Sequence, residues 1–166
     1  MKRFPLAIDF SGGGRETNLI DSSSSERTPS DVTGTEKVIR LPSPHEHSKK
    51  AENLLEEGMN EYKKAEEIDE EFEVRKRGSI ACEKVFHSLV ELANAVLLRH
   101  RAKLPKTHDD RKEELHLIAR GDLADLYAEA QSNLHHSGYY NQRLGDIQKM
   151  TITKVERKIK EERKIL

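Results

Sequence analysis

Ile80–His100 reads IACEKVFHSLVELANAVLLRH, the one stretch both long and apolar enough to run through the middle of a core. Its polar residues Glu83, Lys84, His87, Ser88, Glu91 and Asn94 recur at three- and four-residue spacing. On a helix that spacing gathers them on one side and leaves the other faces apolar, so the stretch predicts a buried central helix with a single polar stripe. Glu83, Lys84, Glu91 and Arg99 interrupt the run, and a membrane span needs roughly 18 or more uninterrupted apolar residues. The segment is therefore expected to be a core helix, with no membrane partner.

The remaining sequence is read as packing around this helix. Of the 166 residues, 36% are charged and 34% hydrophobic, with no Trp and four Phe, so a core must be built from aliphatic side chains on long amphipathic helices. Lys plus Arg (29) nearly equals Asp plus Glu (30), which excludes a global field drawing in nucleic acid or anionic membrane; any such contact requires a local patch. The single Cys82 rules out an internal disulfide and, within an apolar helix, reads as a buried inert thiol. With no secretory signal pattern, the default location is the cytoplasm.

Residues 1–43 are rich in Gly, Ser and Pro and include the run SGGGRETNLIDSSSSERTPSDVTGTE, too polar to offset its ordering entropy by burial. They predict a disordered or loosely ordered tail. The glycines at 12–14 lack the Lys-Ser/Thr and following helix of a phosphate loop, and read as linker. Residues 44–166 predict an all-α antiparallel up-and-down bundle of four to five helices. Ser43, Pro44 and Glu46 form a capping box opening a first helix to about Ile68, with Ala51, Leu55, Gly58 or Met59, Tyr62 and Ala65 inward. A second helix runs from about Glu70 to Arg99. Thr107 caps a short third helix to about Ala119. A fourth begins at Gly121 and Asp122, turns Leu123, Leu126, Tyr127, Ala130 and Leu134 inward, and is expected to stop in the HHSGYYN segment with Gly138 as its C-terminal cap. A last helix from about Asn141 to Lys164 buries Leu144, Ile147, Thr151, Val155 and Ile159.

Three features carry candidate chemistry. Glu83, His87 and Glu91 at i, i+4 and i+8 present carboxylates and an imidazole on one helix face. With no second Glu/His set on another helix, that reads as a polar stripe satisfied by Lys84, Arg75 or Arg77, not as a metal site. The segment His135, His136, Ser137, Gly138, Tyr139, Tyr140 and Asn141 gathers aromatic, imidazole and amide groups where bases can stack and be hydrogen-bonded, and is the first choice for a binding site. The basic outer face of the last helix, with Lys149, Lys154, Arg157, Lys158, Arg163 and Lys164, is diluted by Glu156, Glu161 and Glu162 and reads as a solvated face.

The sequence ACEKVFHSLVELANAVLLRH, the loop KLPKTHDDR and the segment DLADLYAEAQSNLHHSGYYN together resemble small archaeal proteins of the HEPN superfamily (higher eukaryote and prokaryote nucleotide-binding), in its poorly characterised repeat-derived branch. The resemblance spans roughly Lys49 to Lys160. It implies a bundle of four to five helices, often a homodimer, acting as an RNA-cleaving toxin, as the partner of a separately encoded protein, or as a non-catalytic module binding RNA or nucleotide, possible settings being toxin-antitoxin and defence systems. The superfamily's ribonucleases carry Arg, four to six residues, then His near the end of the bundle. In this chain Ser132 and Asn133 precede His135 and His136 and no Arg stands at the required distance. Literal matches occur elsewhere: Arg40 with His45 or His47, Arg101 with His108, and Arg111 with His116, spacings that short motifs produce by chance. Arg111 and His116, with His135 and His136, are the weak catalytic candidates. The expectation is a non-catalytic, cofactor-free binding module using His135, His136, Tyr139, Tyr140, Asn141, Glu83, His87 and Glu91, the alternatives being a metal-independent ribonuclease and a purely structural partner. A homodimer is expected through Val90, Leu97 and Leu98.

Overall fold

The computed structural model describes residues 40–165. The expected tail lies outside the described residues, apart from Arg40 to Ser43 at the approach to the first helix. The described residues form five helices and no strand: α1 (Pro44–Glu66), α2 (Glu71–Arg99), α3 (His108–Leu117), α4 (Gly121–Ala130), which continues without a break as a π-helix (Gln131–Tyr140), and α5 (Asp146–Glu162). None is long and apolar enough to cross a membrane.

Local chemistry sets the starts. Glu46 N–H donates to Ser43 Oγ (3.2 Å) and Ser43 N–H to the Glu46 carboxylate (2.6 Å), closing the capping box that opens α1, and Thr107 Oγ1 caps α3 by accepting from Asp110 N–H (3.1 Å). The expected glycine cap is not found. Gly138 does not cap a helix; it sits inside the π-helix, where an added Cβ would meet Cys82 Sγ at 2.6 Å, so its missing side chain serves close packing against α2. The left-handed terminating positions are instead Arg101 (φ 58°), Ala119 (φ 59°) and Gln142 (φ 49°). After the first two, Ala102 N–H returns to Leu97 O (3.0 Å) and Arg120 N–H to Leu115 O (2.8 Å), the six-to-one bond of a Schellman ending.

Side-chain pairs give the directions. From His47–Glu91 through Glu57–Lys84 to Glu61–Arg77, α1 numbers rise as α2 numbers fall, so the two are antiparallel. The same holds for α2 against α4 and its π-helical extension, from Phe86–Tyr127 through Glu83–His135 to Cys82–Gly138. Gln148 with Ser137, Lys154 with Glu129 and Arg120 with Glu162 run α5 back along α4, and Lys149–Glu66 with Arg163–Glu52 close the ring onto α1. The result is a four-helix up-and-down bundle with α3 as a short connecting helix.

At its centre α2 buries Cys82, Val85, Phe86, Leu89, Leu92, Ala93, Val96 and Leu97. Burying a Val, Leu or Phe side chain contributes about 1.5–3 kcal/mol, which makes this helix the main source of core energy. Leu97 is fully enclosed within the protomer and is unavailable as a dimer contact, a correction to the expected interface, while Val90 is partly buried against the same core. On α5 the register also differs from expectation. Ile147 is exposed, and Gln148, Thr151, Ile152, Val155 and Ile159 face inward, because Gln148 Nε2 reaches Asn133 O (3.3 Å) and Ser137 Oγ (3.2 Å).

Candidate functional site: an imidazole and tyrosine face

The stripe of α2 and the HHSGYYN segment, read separately in the sequence, meet at Glu83. Its carboxylate accepts from His135 Nδ1 (2.8 Å) and lies 3.2 Å from His87 Nε2, one turn further along α2. His135 stacks on buried Phe86 with ring centroids 4.7 Å apart and planes inclined by 27°. Tyr139 lies nearly parallel to His135 at 6.2 Å, Tyr140 meets it edge-on at 4.9 Å, and His136 stands 5.5 Å away. Tyr140 is 64% exposed and Tyr139 36%, and His87 and His136 are also exposed, so the rings present a surface that a planar ligand can reach.

The π-helix makes this arrangement. With hydrogen bonds from i to i+5, His135 and Tyr140 fall one turn apart on the same side, and the wider turn also sets Tyr139 beside them. Such segments are rare and occur often at functional sites. Gly138 lets the extension approach α2 closely enough for His135 to reach Glu83.

A fourth histidine, set aside in the sequence as a chance spacing with Arg101, joins the group. His108 Nδ1 is 2.6 Å from Tyr127 Oη, and its ring lies 5.2 Å from Phe86 and 5.7 Å from His135. Burial first, then the charge of nearby Arg111, lowers His108 from the ordinary imidazole value and favours its neutral form. Neither its role nor those of Phe86 and Tyr127 was legible, since each looks in sequence like core or loop.

Other expected site residues go elsewhere. Glu91 pairs with His47 (2.5 Å) and Lys50 (2.7 Å) of α1, so it does not converge with Glu83 and His87. The stripe is satisfied by histidines and by Lys50, not by Lys84, Arg75 or Arg77, which bind Glu57, Glu71 and Glu61 respectively. Asn141 ends the π-helix, exposed, its N–H on His136 O (3.1 Å). Arg111 and His116 are not brought together as a catalytic pair. Arg111 is buried, donating to Asn94 Oδ1 (3.1 Å), Pro105 O (3.0 Å), Thr107 O (3.3 Å) and Tyr127 Oη (3.2 Å), whereas His116 is exposed at the end of α3.

No family model, curated protein or solved structure matches the chain.

Function therefore has to be argued from chemistry. Among the described residues no group of three or more His, Cys, Asp or Glu is placed to hold a metal ion. Most of the basic side of α5 is paired: Lys149 binds Glu66, Lys154 binds Glu129, Lys158 binds Asp122, Lys160 binds Glu156 and Arg163 binds Glu52. A mixed-charge groove of about 340 Å³ between α4 and α5 is lined by some of these same pairs, and another of about 420 Å³ between α1 and α5 has Leu55, Met59 and Ile159 along it. Neither carries an imidazole or an exposed aromatic ring. The imidazole and tyrosine face is the part of the described surface where rings, hydrogen-bonding nitrogens and a carboxylate stand together.

Proposed function

We propose that the chain is a non-catalytic helical module of HEPN type that binds single-stranded RNA or nucleotide on the face formed by His87, His135, His136, Tyr139 and Tyr140. One observation carries the reading: two exposed tyrosines offer ring planes at a helix end, braced against His135, which stacks on Phe86 and is oriented by Glu83. Base-on-aromatic stacking is worth about 1–3 kcal/mol per base and tolerates any sequence, because every base has a π-face. The solvated and paired cations of α5 offer little competing electrostatic attraction.

A metal-independent ribonuclease is the second reading. It draws on the Glu83 carboxylate holding His135 with His87 beside it, since imidazole is the side chain most often used as general acid or base. Incubation with a mixed RNA pool separates the two. The binding reading expects retention of RNA without new fragments, and a loss of roughly fivefold or more in affinity for Tyr140→Ala. Cleavage abolished by His136→Ala or His135→Ala would replace it with the ribonuclease reading. Neither binding nor cleavage would leave a structural role, as subunit of a homodimer or partner of a separate protein.

A further inference from the structure

Stacking on the ring face leaves the phosphates of a bound strand to be met elsewhere. Most Lys and Arg side chains of the described residues are already held by carboxylates, along α5 above all. The connection from α2 to α3 is the exception. Residues 92–108 contain four Lys or Arg and no Asp or Glu. Among the described residues none of Arg99, Arg101, Lys103 and Lys106 forms an ion pair, and Arg99 donates to the Ile165 carbonyl. The other exposed cations without a carboxylate partner, Lys49, Lys63, Arg143 and Lys164, are scattered over α1, the approach to α5 and the segment after it.

This connection is anchored as well as charged. Arg101 takes the left-handed position (φ 58°) that ends α2, and Ala102 N–H returns to Leu97 O (3.0 Å). Ala102 and Leu104 pack partly buried against the core, and half-buried Pro105 has its φ fixed by its ring. The buried Arg111 donates to Pro105 O (3.0 Å) and Thr107 O (3.3 Å). These contacts hold the backbone, while Arg101, Lys103 and Lys106 stand exposed between them, so a ligand meets cations whose main chain is already ordered. The first acids beyond the connection, Asp109 and Asp110, open α3, and Asp109 binds Lys112 (2.8 Å). The connection runs directly into His108, whose ring lies 5.7 Å from that of His135 in the ring face. Consecutive Cα atoms are about 3.8 Å apart, so the Lys106 backbone stands within about 8 Å of His108.

We propose that Arg101, Lys103 and Lys106 form a phosphate-binding loop along which the backbone of single-stranded RNA leaves the ring face. The inference rests on the RNA-binding reading and deepens it: the rings take bases and the loop takes phosphates. Contacts to the backbone alone add affinity without sequence preference.

The test is the salt dependence of binding of the full chain to a fluorescein-labelled oligouridylate of about 12 nucleotides, followed by anisotropy. The parent is compared with the triple variant Arg101→Gln, Lys103→Gln, Lys106→Gln. All three side chains are exposed, and Gln142 already holds a left-handed position in this chain, so the variant should keep the parent's helical circular dichroism. Each phosphate neutralised on a single strand contributes about 0.7 to the slope of log K against log salt, so the variant's slope should be shallower by about 2. A fourfold rise in salt then weakens the parent's binding roughly 15- to 20-fold more than the variant's. Tyr140→Ala should weaken binding with the slope unchanged. The triple variant Lys63→Gln, Lys149→Gln, Lys164→Gln removes the same charge from α1, α5 and the segment after it, and should keep the parent's slope. An equal loss of slope there would mean general attraction by the whole protein, and that result overturns the proposal. Equal slopes for the parent and the loop variant also overturn it while leaving the RNA-binding reading in place; no binding by the parent removes both.

Discussion

Replacing Arg111 by Met tests whether this buried arginine is a structural strut or a displaced catalytic residue. Met keeps most of the aliphatic stem and its packing but deletes a guanidinium that serves four acceptors from three segments: Asn94 of α2, the Pro105 and Thr107 carbonyls of the loop, and Tyr127 of α4. Hydrogen bonds to a charged group contribute about 1.5–3 kcal/mol, and a buried acceptor left without a donor costs about 1–3 kcal/mol. Water can reach the loop carbonyls, and the Tyr127 hydroxyl retains His108, so the full penalty falls chiefly on Asn94. The expected loss is about 3 kcal/mol, or roughly 150-fold in the folding equilibrium constant. With a urea m-value of about 1.5 kcal/mol/M, the unfolding midpoint falls by about 2 M. Arg111→Lys should recover less than half of this, because an ammonium cannot reach acceptors on opposite sides of a planar fork. A loss below about 1 kcal/mol for Arg111→Met would refute the strut, and would return Arg111 to the list of groups free for chemistry.

Gly138→Ala drives a methyl onto Cys82 Sγ and Cβ and should destabilise the bundle by about 2 kcal/mol in chemical denaturation, with Cys82→Ala in the same chain restoring much of it. The Cys82 thiol, pushed up to about 12 by burial, should resist iodoacetamide at about pH 8 in the native protein and react only after unfolding. Asp122 is held well below the usual carboxylate range, chiefly by hydrogen bonds from Arg120 and then by Lys158. Its contribution is therefore present above the unfolded value near about 4 and fades as pH falls through the lower folded value. Half-exposed as it is, Asp122→Asn should cost no more than about 1 kcal/mol at neutral pH, and the gap from the parent in acid unfolding curves should close as the medium becomes strongly acidic.

The fold was legible where one period governs a long segment. The stripe of α1 and the apolar faces of α2 and α4 follow from 3.6-residue spacing, and both side-chain caps follow from Ser43 and Thr107. What failed has a common physical origin. One helix end was sought at Gly138, whereas the left-handed positions fall at Arg101, Ala119 and Gln142, where surrounding packing outweighs the modest local cost. Glycine at 138 was read as conformational freedom when its use is the absence of a Cβ beside Cys82. On α5 the inward line passes through Gln148, a polar residue buried because two oxygens of the π-helix accept from it, which no hydrophobic pattern reveals.

The site was half legible for the same reason. His135, His136, Tyr139 and Tyr140 stood out by type, and Glu83 with His87 by spacing, but the link between them depends on a change of helical period. Under 3.6-residue periodicity His135 and Tyr139 share a face and Tyr140 swings away, whereas an i to i+5 ladder stacks Tyr140 over His135, where the edge-on contact at 4.9 Å is found. The ladder runs for ten residues from Gln131, and its side toward the bundle is held by buried Leu134, by Gln148 reaching Asn133 and Ser137, and by Gly138 against Cys82. These contacts come from α2 and α5, elements distant in sequence, and they fix a backbone geometry that the local residues do not prefer by themselves. The core that the α2 stripe organises thus also sets the period of the neighbouring helix, and through that period the spacing of the rings a ligand would meet.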